Sequence, residues 1–306
     1  MRWEDFRRSD NIEDRRDGGG GGGGGFGMPG GRGGLGIGTV VVLGLIGYAL
    51  GIDPRLLIGG AEILTGGGPS QQMPVDRQSA PRKTGAPSDE AGQFVAAVLG
   101  DTEDRWSEIF RKSNQNYRAP RLVLFRGVTE QGCGGVAQAA MGPFYCPADQ
   151  RIYIDTSFFR QLEERFRGCS GKACQFAQAY VLAHEVGHHV QNLIGILPKV
   201  QQMQRGLDRR EANQLQVKVE LQADCFAGVW AHHAEAKWKF IEPGDVAAAM
   251  QTAAAIGDDM LQKRSQGRVV PDSFTHGSSE QRQRWFSTGL KNGTVSSCNT
   301  FSAERL

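Results

Sequence analysis

The apolar residues of this chain form one uninterrupted stretch near its start and then recur at helical and strand spacings in its second part. Residues 35–52 contain no charged side chain. A helix of that length spans about 27 Å, close to the roughly 30 Å of a bilayer's hydrocarbon core. The pattern therefore predicts a transmembrane helix at residues 35–52.

The flanks of this stretch predict its orientation. Six arginines precede it, whereas Arg55 is the one basic residue close behind it. Because Lys and Arg favour the cytoplasmic side, we expect the amino terminus in the cytoplasm and the region behind the helix outside. The alternative is a cleaved signal peptide with the small residues Ala49 and Gly51 at its cleavage site, although its leading region would be unusually long.

Composition sets the remaining domain boundaries. Residues 1–34 are polar and include a glycine tract at 18–25. Glycine buries nothing and loses much backbone entropy on ordering, so we expect a disordered cytoplasmic tail. Residues 53–88 are rich in Gly, Pro, Ser and Gln, which is typical of a linker. Residues 89–306 are long enough for one domain with its own core.

Residues 89–306 are predicted to form a mainly helical domain with a small β-sheet. The spacing of apolar residues predicts helices at 91–112, 157–166, 175–193 and 245–263. Short apolar runs predict strands at 122–125, 137–144 and 151–155. Ser278 and Gln281 have the spacing of a capping box at the start of a further helix. The predicted fold class is α+β, preceded by one transmembrane helix.

The helix predicted at 175–193 contains the sequence His-Glu-Val-Gly-His at residues 184–188. Residues four apart lie on one helix face, so His184 and His188 can bind the same zinc ion. Glu185 can then reach a metal-bound water as a general base. The alternative is a buried helix with two hydrogen-bonded histidines, because this pentad also occurs in proteins without metal.

A second pair of polar residues suggests the rest of a zinc site. A catalytic zinc site needs a third protein ligand and an open position for water. Glu220 and Asp224 are also four apart, and they lie among apolar residues, where an unpaired carboxylate would be costly. We predict that Glu220 binds zinc and that Asp224 orients a ligand histidine. The alternative is a pair of surface acids on a long helix.

Charge and the remaining polar residues add little chemistry. The 35 Lys and Arg against 33 Asp and Glu leave a net charge of +2. This is not the basic field of a nucleic-acid-binding protein, so we predict no nucleic-acid partner. The acids Asp258 and Asp259 are expected in solvent rather than at a cation. Three of the histidines outside the motif are His189, His232 and His233. We expect them at the surface or in contact with the metal ligands without binding the metal themselves.

All six cysteines follow the predicted membrane helix. An even number confined to the exported side favours disulfides. A zinc site made of cysteines is the alternative, but the chain contains no Cys-x-x-Cys pair. Two local pairs leave a third: Cys133–Cys146, Cys169–Cys174 and Cys225–Cys298. Other pairings of six cysteines stay open.

Three motifs in order carry a resemblance to known zinc peptidases. The His-Glu-x-x-His pentad is followed by Glu-Leu-Gln-Ala-Asp at 220–224 and by Thr-His-Gly at 275–277, with Arg282 behind them. This order resembles the gluzincins, in particular the membrane-anchored heat-shock and prenyl-protein-processing endopeptidases. Those enzymes have proline where this chain has Gly277. The glycine, the single apolar stretch and the cysteines are more similar to the bacterial YpfJ-like neutral zinc metallopeptidases, over about residues 91–290.

This resemblance implies a zincin-like fold and a set of residue roles. The implied zinc ligands are His184, His188 and Glu220, the base is Glu185, and Asp224 supports a ligand. His276 would stabilise the developing oxyanion, and Arg282 would pair with an acid near the site. For His276 the alternative is an ordinary loop histidine.

The expected function is that of a membrane-anchored, zinc-dependent endopeptidase with a protein or peptide substrate. Its peptidase domain would lie on the periplasmic side of the bacterial inner membrane. One alternative is a catalytically silent zincin-fold module that binds or chaperones other proteins. A structural zinc protein is a further alternative, which three ligands rather than four disfavour.

Overall fold

Helices supply most of the fold. The computed structural model describes residues 1–19, 83–164, 169 and 174–306. The helices are α1 (Glu90–Lys112), α2 (Ser157–Glu164), α3 (Cys174–Leu193), α4 (Ile196–Gln204), α5 (Arg209–Trp238), α6 (Asp245–Ala255), α7 (Asp258–Gln266) and α8 (Ser279–Asn292). The strands are β1 (Ile12–Asp14), β2 (Lys83–Thr84), β3 (Arg121–Phe125), β4 (Val128–Glu130), β5 (Val136–Gln138), β6 (Phe144–Cys146) and β7 (Arg151–Asp155).

Side-chain caps fix where the important helices begin. At α5, Asp208 accepts a hydrogen bond from the Glu211 amide, and Glu211 accepts one from the Asp208 amide. The predicted capping box at Ser278 and Gln281 is confirmed at the start of α8. Each cap satisfies backbone N–H groups that the first helical turn leaves unpaired, which typically contributes about 1 kcal/mol.

The strands form one mixed sheet and one separate hairpin. The sheet has the order β2-β1-β3-β7-β6, with β1, β3 and β7 parallel to one another and the two outer strands antiparallel to their neighbours. The predicted strands at 122–125 and 151–155 are confirmed as β3 and β7. The strand predicted at 137–144 is instead divided between β5 and β6, because a 3-10 turn and Gly142, at a φ of 74°, reverse the chain there.

Two glycines allow the central helices α5 and α8 to cross closely. A Cβ atom on Gly289 would lie 1.9 Å from the carbonyl oxygen of Cys225, and one on Gly228 would lie 2.2 Å from that of Phe286. Only glycine fits such an approach of two backbones. The close crossing brings the first turn of α8 against the part of α5 that carries Glu220 and Asp224.

The first 19 residues are part of the folded unit, which corrects the prediction of a disordered tail for this part of 1–34. Met1, Phe6 and Ile12 are buried in the core, and β1 pairs with β3 through Ile12 and Leu122. The segment is polar in sequence, but its charged side chains form ion pairs within the fold. Arg7, for example, pairs with Glu103 and Asp104 of α1. Residues 20–34 lie outside the described residues.

The predicted transmembrane helix, and with it the single-pass inner-membrane localisation, is not supported. Across residues 1–19 and the ranges from 83 onward, no helix has both the length and the apolar character needed to cross a membrane. The predicted span at 35–52 and most of the linker predicted at 53–88 lie outside the described residues. The fold class is corrected to a mainly helical α+β unit with two small sheets.

The sheet gives a physical reason for this correction. Strand β1 precedes the predicted span and β3 follows it, yet the two are hydrogen-bonded neighbours. A single crossing between them would put the two strands on opposite sides of the bilayer. The apolar composition of 35–52 suggested a topology that the pairing of β1 with β3 contradicts.

Three disulfides connect the cysteines of the fold. They join Cys133 to Cys146, Cys169 to Cys174 and Cys225 to Cys298, and so confirm the two local pairs and the pair that they leave. The bridge from Cys225 fastens α5 to the 3-10 turn Val295–Cys298 behind α8. It begins one residue after Asp224, so it also fixes the backbone next to the candidate metal centre.

Candidate metal centre

Three side chains from α3 and α5 converge at one point. The Nε2 atom of His184 lies 3.1 Å from Nε2 of His188 and 3.2 Å from Oε2 of Glu220, and the His188–Glu220 distance is 3.5 Å. Gly187 makes this convergence possible, since a Cβ atom there would lie 2.9 Å from the carbonyl oxygen of Ala223. Within the part of the chain that the structure describes, this is the group that could hold a metal ion.

The opposite nitrogen of each histidine has an acceptor that fixes its proton. His184 Nδ1 lies 2.8 Å from Oδ1 of Asp224, and a carboxylate only accepts, so Nδ1 donates. His188 Nδ1 lies 2.9 Å from Oε1 of Gln191. The Gln191 amide nitrogen donates to Val219 O and to Gln222 Oε1, which turns its carbonyl oxygen toward His188. Both Nε2 atoms therefore point at the centre, where a metal ion can bind them by displacing any proton they carry.

The three donor atoms fit a zinc ion. Zinc binds imidazole nitrogen at about 2.0–2.1 Å in tetrahedral geometry, so its ligand atoms lie roughly 3.3–3.4 Å apart. The observed separations of 3.1, 3.2 and 3.5 Å match those edges. Two neutral imidazoles and one carboxylate form a typical catalytic zinc set, which leaves a fourth position for water.

Electrostatics favour a cation at the same place. Burial alone would lower the pKa of His184, but Asp224 and Glu220 outweigh it and raise that pKa to about 10. The Glu220 carboxyl is held well below its usual pKa because the opposing effect of burial is exceeded by His188 and His184. A buried negative charge of this kind is stabilised by a proton or a metal ion among the ligands.

Glu185 lies next to the first ligand on α3 and is 7% exposed. Burial raises the pKa of its carboxyl group, while the neighbouring His184 and His188 lower it. A carboxylate whose pKa is shifted upward toward neutrality is a better proton acceptor and a better later proton donor than an ordinary surface glutamate. The position and the direction of this shift both suit a general base.

Behind His184 lies a buried network around Asp224. Arg282 of α8 binds both oxygens of this carboxylate, with Nε and Nη2 each at 2.9 Å. The Tyr180 hydroxyl donates to Oδ1 at 2.6 Å. Burial would raise the pKa of Asp224, but Arg282 and His184 outweigh it and lower the pKa to about 2. Asp224 therefore stays ionised and holds the His184 ring in a fixed orientation.

His276 lies on a loop that Asp258 holds in place. The Oδ2 atom of Asp258 accepts hydrogen bonds from the amides of Thr275, His276 and Gly277 at 2.7, 2.6 and 3.0 Å. Its Oδ1 atom lies 3.3 Å from Nδ1 of His276, whose side chain is 47% exposed. The prediction that Asp258 is a solvated acid is wrong, because these donors compensate its burial.

Gly277 explains why this chain lacks the proline of the gluzincin pattern. Its φ is 90°, in the region that favours glycine, and its amide donates to Asp258. Proline has a φ fixed near −65° and no N–H group, so it could neither adopt this conformation nor donate this bond. The glycine is therefore part of the Asp258 arrangement.

The other histidines have structural partners. His189 is buried: it donates from Nε2 to Arg118 O at 2.6 Å, and its Nδ1 accepts from the Tyr145 hydroxyl at 3.0 Å. Burial lowers its pKa to about 4, so it packs as a neutral core residue rather than at the surface. His232 and His233 bind the carbonyl groups of Leu290 and Gly293 at the end of α8.

Sequence reasoning missed three residues around the centre. Gln191 follows His188 by three positions and Tyr180 precedes His184 by four, so helical spacing alone could have placed both beside the ligands. Asp258 gave no such signal, because it reaches His276 from another helix and from 18 residues away.

Comparison with known proteins places this arrangement in a family. The family described as "Putative neutral zinc metallopeptidase" matches residues 1–301. The "Uncharacterized protein YpfJ" of Escherichia coli K12 is 49% identical over 304 residues, which cover 98% of this chain and 99% of the relative. The "Uncharacterized protein Rv2575" of Mycobacterium tuberculosis H37Rv is 39% identical over 274 residues, covering 84% and 85%. No solved structure matches significantly. The chain belongs to the neutral zinc metallopeptidase family.

Proposed function

We propose that this protein is a zinc-dependent endopeptidase that hydrolyses peptide bonds in protein or peptide substrates. The observation that carries the proposal is the convergence of His184 Nε2, His188 Nε2 and Glu220 Oε2 within 3.1–3.5 Å, next to the buried Glu185. Membership of the family supports a zinc peptidase. The three ligands and the open position are typical of a catalytic rather than a structural site.

The chain supplies ligands whose protons are held away from the metal. Asp224 accepts the Nδ1 proton of His184 and Gln191 accepts that of His188, so both Nε2 atoms are free to bind. A bound zinc ion supplies Lewis acidity and a water whose pKa is lowered to about 7. Arg282 and Tyr180 keep Asp224 ionised and in place, which fixes the orientation of His184.

Glu185 and His276 carry the proton and charge steps of the proposal. A Glu185 carboxylate oxygen accepts a proton from the attacking water and then delivers it to the nitrogen of the leaving amine. His276, whose Nδ1 faces Asp258, donates from Nε2 to the scissile carbonyl oxygen as negative charge develops there. Asp258 fixes both the loop and the ring for this task.

The test compares the wild-type chain with Glu185→Gln. We expect about one zinc ion per chain in both proteins, measured by atomic absorption after dialysis. We expect the wild type to cleave unfolded casein or a quenched peptide mixture, and the variant to lose about 10²–10⁴-fold in rate, as expected when a catalytic base is removed. A chelator should abolish wild-type cleavage, and added zinc should restore it.

The possible outcomes separate the alternatives. Equal cleavage by wild type and Glu185→Gln would contradict the proposed base. Zinc bound by the wild type without cleavage of any substrate in the mixture would favour the catalytically silent binding module. A protein that binds no zinc would contradict both the endopeptidase and the zinc-containing binding module.

A further inference from the structure

A cavity of about 570 Å³ lies beside the loop that carries His276. It is bounded by α5, the 3-10 turn Pro271–Ser273 and α8. Its apolar part includes Val217, which precedes the ligand Glu220 by less than one helical turn, and Phe274, which precedes His276 by two residues. The loop packs directly on α5 here, since a Cβ atom on Gly277 would lie 3.0 Å from Leu221 Cδ2 and 3.4 Å from Val217 Cγ1.

Most charged groups around this cavity already have partners. Glu280 accepts from Arg284 at 2.5 Å and from Arg305 at 3.3 Å. Asp272 forms an ion pair with Arg210 at 3.1 Å. These pairs set three guanidinium groups against two carboxylates, so both acids of the lining are compensated.

Lys218 is the exception. It lines the cavity from α5, its side chain is half-buried, and no acidic partner for its ammonium group occurs among the described residues. The neighbouring polar residues Gln214 and Gln281 carry no charge. The cavity therefore combines an apolar wall with a lysine ammonium group that has no acidic partner among the described residues.

We propose that this cavity is a specificity pocket that takes an acidic side chain of the peptide substrate, with Lys218 as the residue that selects it. This inference rests on the endopeptidase function proposed above. Phe274 and Ser278 line the cavity on either side of His276, the proposed donor to the scissile carbonyl oxygen, so the cavity borders the loop that would hold the substrate. The methylene groups of the acidic side chain lie on Val217 and Phe274, and its carboxylate pairs with Lys218.

The experiment compares binding and cleavage of matched peptides. Two sets of three peptides are used. In one set Glu, Gln or Lys stands directly before the scissile bond, in the other directly after it, and the peptides are otherwise identical. Binding is measured by fluorescence anisotropy on zinc-loaded Glu185→Gln protein, which does not consume the peptide. Cleavage is measured as kcat/KM on the zinc-loaded protein with Glu185 intact. Both are repeated with Lys218→Glu and with Lys112→Glu, an exposed lysine at the end of α1 that lies away from the cavity.

We expect one set to show a preference for Glu over Gln of roughly fivefold, the factor that corresponds to 1 kcal/mol for a partly exposed ion pair. Lys218→Glu should reverse the preference toward the Lys peptide, and Lys112→Glu should leave it unchanged. Added salt should reduce the preference, since the pair is electrostatic.

The binding and cleavage arms distinguish failure of this inference from failure of the proposed function. If the Lys218→Glu protein binds the Glu, Gln and Lys peptides in the same order of affinity as the protein with Lys218, the pocket does not select by this charge. The inference is then overturned, even where cleavage continues. If charge-dependent binding reverses as expected but no peptide is cleaved with Glu185 intact, the pocket stands and the endopeptidase function fails.

Discussion

Gln191 Oε1 lies 2.9 Å from Nδ1 of His188, three residues before it on α3. The contact is the counterpart of the bond between Asp224 and His184. One candidate ligand histidine is thus oriented by a carboxylate and the other by a neutral amide. The amide is itself held from behind by Val219 O and Gln222. Each bond directs an Nε2 lone pair at the centre and raises the basicity of the ligand.

The first prediction concerns this amide. Gln191→Ala should weaken zinc binding by about 10–100-fold, the usual effect of removing a group that orients a metal ligand. Gln191→Glu keeps an oxygen that can accept the Nδ1 proton, so it should bind zinc more tightly than Gln191→Ala. Competition with a chromophoric chelator measures both affinities. Equal zinc affinity in Gln191→Ala and wild type would show that His188 needs no such partner.

The second prediction concerns the pH dependence that Asp258 imposes on His276. Partial loss of solvation at the half-exposed His276 lowers its pKa, but the hydrogen bond to Asp258 and the charges of Glu220 and Asp258 outweigh this effect and raise that pKa above 6.5. His276 therefore stays protonated as the pH rises past 6.5 and loses its proton only at higher pH. Cleavage that uses this proton should fall on the alkaline side, as the pH passes through the raised pKa.

Asp258→Asn tests this directly. Removal of the negative charge lowers the pKa of His276, so the alkaline limb of the kcat/KM profile should move to lower pH while zinc content stays constant. Asp259→Asn is the matched control, since Asp259 accepts from Ser279 instead. An alkaline limb that stays in place in Asp258→Asn would mean that a different group governs it.

The third prediction concerns the glycine that replaces a proline. Gly277→Pro should lower the cleavage rate by about 10²–10³-fold, the effect of losing one oxyanion donor, because the loop can no longer present His276. Zinc content should not change, since the ligands lie on α3 and α5. Gly277→Ala keeps the N–H group and costs roughly 1–2 kcal/mol of backbone strain at this φ. It should retain more activity than the proline variant, and the opposite order would contradict the role assigned to this amide.

The common face of the two candidate ligand histidines was predictable from sequence because their spacing is local. His184 and His188 are one helical turn apart, so their common face follows from helix geometry alone. The fold adds what spacing does not contain: the distance from α3 to α5, which Gly187 permits at Ala223, and the link from Asp258 to His276. The amino-terminal strand was missed for a similar reason. The charges of the first residues looked solvated in the sequence, and only their partners in the fold, Glu103 of α1 for Arg7 and Arg151 of β7 for Glu13, show that the segment is packed.

The fourth prediction tests the close crossing of α5 and α8. In Gly289→Ala the new methyl group would lie 1.9 Å from a backbone carbonyl oxygen, so the helices must separate. We expect a loss of about 3 kcal/mol in the free energy of unfolding, at the upper end for overpacking. Gly206→Ala meets no atom within 4 Å and should change stability little. Denaturant titration compares the two variants, and similar midpoints would argue against a tight crossing.

The last prediction tests whether the first residues belong to the fold. Ile12 is 2% exposed in β1 and pairs with Leu122 in β3. Ile12→Ala leaves a cavity at this position and should lower the free energy of unfolding by about 2–5 kcal/mol. The exposed Asp10→Ala, two residues away, should have almost no effect on stability. A disordered tail would give the same small effect for both substitutions.

Hydrogen exchange provides a second measurement, because the amide of Leu122 donates to Asn11 O and should exchange faster in Ile12→Ala. Loss of protection at Leu122 together with lowered stability would establish that β1 is paired with β3 in the folded protein. The segment before the glycine tract would then lie on the same side of any membrane as the metal centre.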